Sequence, residues 1–135
     1  MLIVLTLMSV TMMAQGKGKY HKTPEQFDEA QAHYIASQLA FDDQTTAMFV
    51  KTYCDYRAEI RADVPREHHD DMSESEAEQA INDRFERNQK ILDIRKKYYQ
   101  EYSKFLTQKQ IERVYELEHE SMKKLSKHQH KGKKQ

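Results

Sequence analysis

The chain has 135 residues, enough for one domain, and its 22 basic and 22 acidic side chains cancel to a formal net charge of zero. This balance excludes a basic field that would steer the whole chain toward nucleic acid. With 3 Gly, 2 Pro and 33% charged residues, the composition favours long helices around a thin core.

The first 14 residues, MLIVLTLMSVTMMA, carry no charged side chain. Their apolar run is shorter than the roughly 20 residues that a membrane-spanning helix needs. The run is typical of a secretory signal peptide with cleavage after Ala14, although no Lys or Arg precedes it. The alternative is a buried N-terminal helix. We expect export, with residues 15–23 as a flexible start of the mature chain.

The first helix is predicted to begin at Thr23, with Pro24 at the first helical position and Gln26 at the third. Its apolar residues recur at helical spacing: Phe27, Ala30, Tyr34, Ile35 and Leu39.

The second helix is predicted to begin at Asp42 or Asp43 and to end before Pro65, because a residue that precedes proline avoids the helical region. Its apolar positions are Phe49, Tyr53, Tyr56 and Ile60. Cys54 has no second cysteine to pair with in this chain, so it is either a small buried side chain or half of a disulfide between chains.

The third helix begins with a capping box, Ser73 with Glu76. Its main apolar stripe is Ala77, Ile81, Phe85, Leu92, Tyr99, Tyr102 and Leu106, widened by Ile91, Ile94, Tyr98 and Phe105. A stripe this wide predicts contacts on two sides of the helix.

A further capping box, Thr107 with Gln110, marks the end of the third helix and the start of the fourth. The fourth helix carries Ile111, Val114, Tyr115, Leu117, Met122 and Leu125. We place the helical domain at residues 24–126 and expect the basic residues 127–135 to be a disordered tail. The four helices would form two hairpins, each turning at a short loop.

No catalytic constellation is recognisable, so neither enzymatic activity nor a cofactor is expected. His68 and His69 are weak candidates for metal ligands, because they adjoin two aspartates in a polar connector. They lack the spacing of known zinc sites, and a solvated connector explains them equally well.

Residues 93–105, DIRKKYYQEYSKF, combine aromatic and basic side chains and are a candidate surface for binding unfolded polypeptides. The candidate residues are Arg95, Lys96, Lys97, Tyr98, Tyr99 and Tyr102. The alternative is that the tyrosines belong to the core and the basic side chains are solvated.

The residues Leu106-Thr107-Gln108-Lys109-Gln110 match the Leu-Thr-x-x-Gln motif, and Phe41, Asp42 and Thr45 stand at the places of a degenerate first copy. With this order of elements, residues 25–125 resemble the Spy/CpxP-like proteins of the bacterial envelope. The motif residues themselves are interpreted as helix caps.

The resemblance implies an all-α, thin, curved and dimeric periplasmic protein without catalytic residues. It implies an ATP-independent chaperone or envelope stress-response accessory that binds unfolded or misfolded envelope proteins on its helix surfaces. The alternatives are an adaptor for one sensor protein and a metal-binding sensor. Neither a nucleic acid partner nor a membrane-spanning segment is expected.

Overall fold

A computed structural model of the chain describes residues 21–67 and 71–132, and these residues form helices and no strand. The helices are α1 (Pro24–Gln38), α2 (Asp43–Asp63), α3 (Glu74–Ser103) and α4 (Gln108–Gly132). The all-α fold class predicted from the sequence is confirmed. The expected signal peptide, with residues 15–20 of the mature start, lies outside the described residues.

The N-terminus of α1 has the predicted cap. Thr23 Oγ1 accepts a hydrogen bond from the Gln26 amide at 3.2 Å, and Gln26 Oε1 accepts one from the Thr23 amide at 3.0 Å. Ser73 and Glu76 make the same reciprocal pair at the start of α3. Each box satisfies backbone N–H groups that have no partner inside the helix.

The connection between α1 and α2 is a tight turn. Ala40 takes a left-handed conformation with φ 52°, and the Phe41 amide donates to the carbonyl of Ala36 at 3.1 Å. α2 then returns along α1, as the ion pairs from Asp28 to Arg57 and Arg61 show. These two helices form an antiparallel hairpin and share the most extensive helix–helix packing in the described structure.

α2 and α3 are also antiparallel, and aromatic rings fill the space between them. The ring centroids of Phe49 and Tyr102 lie 5.7 Å apart, and those of Tyr56 and Tyr98 lie 5.6 Å apart. Such tilted aromatic pairs stabilise a core beyond the area they bury. The buried core comprises Ala32, Ile35, Ala36, Phe49, Tyr53, Tyr56, Val64, Ile94, Tyr98, Tyr102, Leu106, Ile111, Val114 and Leu117.

The first half of α3 extends beyond α2. The aromatic pairs fix the register, and in this register the end of α2 at Asp63 faces α3 near Lys90. Residues 74–90, which we call the α3 arm, therefore continue for roughly 25 Å without a helix of the described chain beside them. Hydrogen bonds tie residues 65–67, at the start of the connector between α2 and α3, to the arm. They run from Arg87 Nε to the carbonyl of Pro65 at 3.1 Å and from Arg84 Nε to Glu67 at 3.2 Å.

α4 runs to Gly132, whereas the sequence places the end of the helical domain at residue 126. Residues 127–131 contain neither Gly nor Pro, and their Lys and Gln are good helix formers, so the helix continues without apolar spacing. In the described ranges, no helix combines the length and the apolar character needed to cross a bilayer.

Candidate functional site

The motif residues are placed as helix caps, as the sequence predicts. Thr107 Oγ1 accepts from the Gln110 amide at 3.2 Å, and Gln110 Oε1 accepts from the Thr107 amide at 2.9 Å. Leu106, which precedes the cap, is buried in the core. This complete motif therefore fixes where α3 ends and how α4 enters the core.

The degenerate first motif keeps half of this chemistry. Asp42 Oδ1 accepts from the Thr45 amide at 2.7 Å, and this hydrogen bond lowers the pKa of the Asp42 carboxyl. Thr45 makes no return bond to the Asp42 amide, because its side chain is too short for the role of Gln110. Phe41 packs edge-on against Phe49, with ring centroids 5.6 Å apart, and so anchors the turn as Leu106 does.

Residues 93–105 are the candidate surface for binding unfolded polypeptides, which we call clients. The tyrosines of this segment are divided between the core and the exterior of the fold. Tyr98 and Tyr102 are buried, and the Tyr98 hydroxyl donates to Glu59 at 2.7 Å. Burial raises the pKa of both phenols above the ordinary value. Tyr98 and Tyr102 are therefore core residues in this fold and are not accessible to a client. Tyr99 is half-buried, and its hydroxyl donates to Gln108 at 2.5 Å.

The basic side chains of the same segment are exposed, and two of them already have partners. Arg95 Nε donates to the Tyr56 hydroxyl at 3.2 Å, and Lys97 Nζ donates to Glu59 at 2.9 Å. Lys96 is exposed. The arrangement of Tyr98 and Tyr102 and of the basic side chains matches the alternative in which the tyrosines belong to the core and the basic side chains are solvated.

The large exposed apolar side chains of α3 lie nearer its N-terminus. Ile81 is 50% exposed, Phe85 is 66% exposed and Leu92 is 44% exposed. The sequence pattern identifies all three as apolar stripe positions and predicts that they make contacts. In the described chain no helix covers them.

These residues form one continuous face of the helix. At 3.6 residues per turn, Ala77, Ile81, Phe85 and Leu92 fall within a sector of about 80°. We call these four residues the exposed stripe. The buried face of α3, which carries Ile94, is turned away from the stripe by about a quarter of a turn. The wide stripe expected from the sequence is thus two faces, of which one is buried and the other is in solvent.

A cleft of about 550 Å³ opens between the connector and the arm. Pro65 and Met72 line it from the connector, and Ala77, Ala80 and Ile81 line it from α3. Its remaining lining residues are charged, and both signs are present: Arg66, Glu67, Asp83, Arg84, Glu86, Arg87 and Lys90. A cleft lined by apolar side chains and by charges of both signs is suited to polypeptide segments of varied sequence.

His68 and His69, the candidate metal ligands, lie outside the described residues. Among the residues that the structure does describe, no three His, Cys, Asp or Glu side chains come together as a metal site would require.

Cys54 is half-buried, and burial, together with the nearby carboxylate of Asp28, raises the pKa of its thiol. The thiol is therefore protonated near neutral pH, which is the less reactive form.

No match to this chain was found among known protein families, curated proteins or solved structures.

Proposed function

We propose that the protein is a periplasmic, ATP-independent chaperone, or an accessory of the envelope stress response, that holds unfolded envelope proteins on the exposed stripe of α3. The observation that carries the proposal is the row of uncovered apolar side chains on the exposed stripe, flanked by charges of both signs. A contiguous row of exposed apolar side chains marks an interaction surface more often than a single exposed apolar side chain does. The client surface proposed here is therefore the exposed stripe and not residues 95–102.

The stripe is suited to weak and reversible binding. Ile81, Phe85 and Leu92 are each about half exposed, so a client that covers them recovers about 1 kcal/mol per side chain. A sum of about 3 kcal/mol corresponds to a dissociation constant in the millimolar range or weaker. Useful affinity then requires several contacts and attraction between charges, and a client leaves when it buries its own apolar groups. Release therefore needs no nucleotide.

The test is suppression of aggregation of several unrelated denatured proteins by the purified protein. Wild type is expected to slow aggregation at near-stoichiometric amounts. The double variant Ile81→Ser, Phe85→Ser should lose most of this activity, because it removes the two most exposed large apolar side chains of the stripe. A matched control, Met48→Ser with Met122→Ser, removes two exposed apolar side chains elsewhere and should keep the activity.

The outcomes separate the candidate functions. Equal activity of the two double variants would place client binding away from the stripe. No suppression by wild type for any client would refute the general chaperone. If wild type instead retains one saturable partner in a pull-down, the adaptor function is correct.

The periplasmic location has its own test. We propose that the first 14 residues direct export and are removed after Ala14. When the full chain is produced in a bacterium, the periplasmic fraction should contain a product whose N-terminal residue is Gln15. An uncleaved product in the cytoplasmic fraction would contradict export.

We also propose a homodimer, which the resemblance to Spy/CpxP-like proteins implies. If packing holds the dimer together, sedimentation should give the mass of a dimer both with and without reductant. If a disulfide between two Cys54 residues holds it together, the mass of a dimer should appear only without reductant. The mass of the Ile81→Ser, Phe85→Ser variant should be measured in the same way. If it becomes monomeric and still suppresses aggregation, the stripe is the dimer contact and clients bind elsewhere.

A further inference from the structure

Glu118 is an ionisable residue on the core face of α4. It follows Leu117, lies one turn beyond Val114, and is only 6% exposed. Among the described residues, none donates a hydrogen bond to its carboxyl group or forms an ion pair with it. Asp28, the other buried carboxylate of the core, is in contrast bound by Arg57 and Arg61.

The surroundings of Glu118 are polar groups from all four helices. The charged and titratable side chains that face it are Asp28 of α1, Tyr53, Tyr56 and Arg57 of α2, Arg95 and Tyr102 of α3, and Tyr115 of α4 itself. The hydroxyl of Tyr53 is buried and has no hydrogen-bond partner among the described residues. Around Glu118 the core thus contains buried polar groups without hydrogen-bond partners among the described residues, namely the Glu118 carboxyl and the Tyr53 hydroxyl.

The nearest cations are directed elsewhere. Arg57 Nε donates to Asp28 at 3.2 Å, and Arg95 Nε donates to the Tyr56 hydroxyl at 3.2 Å. Their charges still attract an ionised Glu118, but they supply none of the hydrogen bonds that a buried carboxylate needs. An ionised Glu118 therefore destabilises the packing of α4 more than a protonated one does.

We propose that Glu118 makes the attachment of α4 sensitive to pH, so that its protonation holds α4 in the core and its ionisation loosens α4. α4 is the helix best placed to respond, because its packing against α1 and α3 is sparse compared with the α1–α2 hairpin. Loosening it exposes the core side chains Ile111, Val114 and Leu117. The inference concerns the fold and does not depend on the proposed chaperone function.

The direction of the effect follows from proton linkage. Burial raises the pKa of Glu118, and attraction to Arg95 and Arg57 only partly opposes this. A carboxyl that binds its proton more tightly in the folded state contributes stability at low pH. That contribution is lost as the pH rises through the folded-state pKa.

The test is hydrogen exchange of the full-length protein at about pH 5 and about pH 8, with rates corrected for intrinsic exchange. In wild type, protection of residues 111–122 should fall by about threefold or more between the two pH values, relative to the α1–α2 hairpin. Glu118→Gln keeps the shape and removes the charge, so it should be more protected than wild type at the higher pH and should lose this dependence. Glu112→Gln, on the exposed face of the same helix, should behave as wild type.

The proposal is overturned if Glu118→Gln keeps the wild-type pH dependence. It is also overturned if Glu118→Gln lowers the protection of α4 at both pH values or fails to fold, because the ionised carboxylate would then be stabilising. Glu118→Leu provides a second neutral variant and should show the same loss of pH dependence.

Discussion

The ion pairs around Asp28 give the sharpest prediction for stability. Asp28 is buried between α1 and α2, where Arg57 Nε donates to its Oδ1 at 3.2 Å and Arg61 binds its Oδ2. Arg61 also reaches Glu25 at 3.6 Å. Replacing Asp28 with Ala removes the shared acceptor and leaves two cations beside an apolar interface.

The expected cost follows from the number and exposure of these contacts. A hydrogen bond to a charged group contributes about 1.5–3 kcal/mol, and removing one partner of a fully buried pair costs about 3–5 kcal/mol. The side chains of Arg57 and Arg61 are 22% and 28% exposed, so water recovers part of the loss. We therefore expect Asp28→Ala to lower the free energy of unfolding by about 2–3 kcal/mol.

Urea denaturation followed by circular dichroism at neutral pH measures this change. Lys51 and Asp55 supply the matched control, because their side chains are 78% and 53% exposed and their ion pair lies within α2. Asp55→Ala should cost less than about 0.5 kcal/mol. If Asp28→Ala costs no more than Asp55→Ala, the buried pairs do not hold α1 on α2 and the reasoning is refuted.

Four further substitutions test the packing, each by the same denaturation. Thr107→Ala removes the cap of α4 and should cost about 1 kcal/mol, and a neutral result would contradict the capping role. Tyr53→Phe removes a buried hydroxyl that has no hydrogen-bond partner among the described residues and should be neutral or stabilising by up to about 1 kcal/mol, whereas a clear loss would reveal a partner. Ala40→Gly relieves a left-handed backbone and should raise stability by about 1 kcal/mol, and a lower stability would show that the turn is not strained. Phe49→Ala opens the aromatic core and should cost about 3–5 kcal/mol, and a cost below about 1 kcal/mol would mean that the core collapses to fill the space.

The helix boundaries could be predicted from the sequence because they depend on local chemistry. Thr23, Ser73 and Thr107 each cap a helix by bonds to a residue three positions away, and such bonds are visible in the order of residues. The sequence does not predict the late end of α4, because a charged segment without apolar spacing can be helical or disordered, and helix propensity alone decides weakly between the two.

The surface of α3 could be predicted only in part. Spacing identifies Ile81 and Phe85 as members of an apolar stripe, but exposure depends on whether another helix reaches them. α2 is shorter than α3 and ends at Asp63, so the arm is left uncovered. The same register buries Tyr98 and Tyr102, which sequence composition alone could not distinguish from the exposed cations beside them.

Helical spacing places Glu118 on the apolar face of α4, because it follows Val114 by four residues and Ile111 by seven. Its charge alone argues for solvent, so composition and spacing point in opposite directions at this position. The register of α4 on the other helices places it inward, and that register is set by the turn after Leu106 and not by residue 118 itself.

Site-specific crosslinking tests most directly whether unfolded proteins bind the exposed stripe. A photoreactive amino acid at position 85 would report contacts on the stripe, and one at Met48 would report an exposed apolar site elsewhere. With a denatured client present, strong crosslinks at position 85 and weak ones at position 48 are the predicted result. Equal crosslinking at the two positions, or none at position 85, would contradict the account.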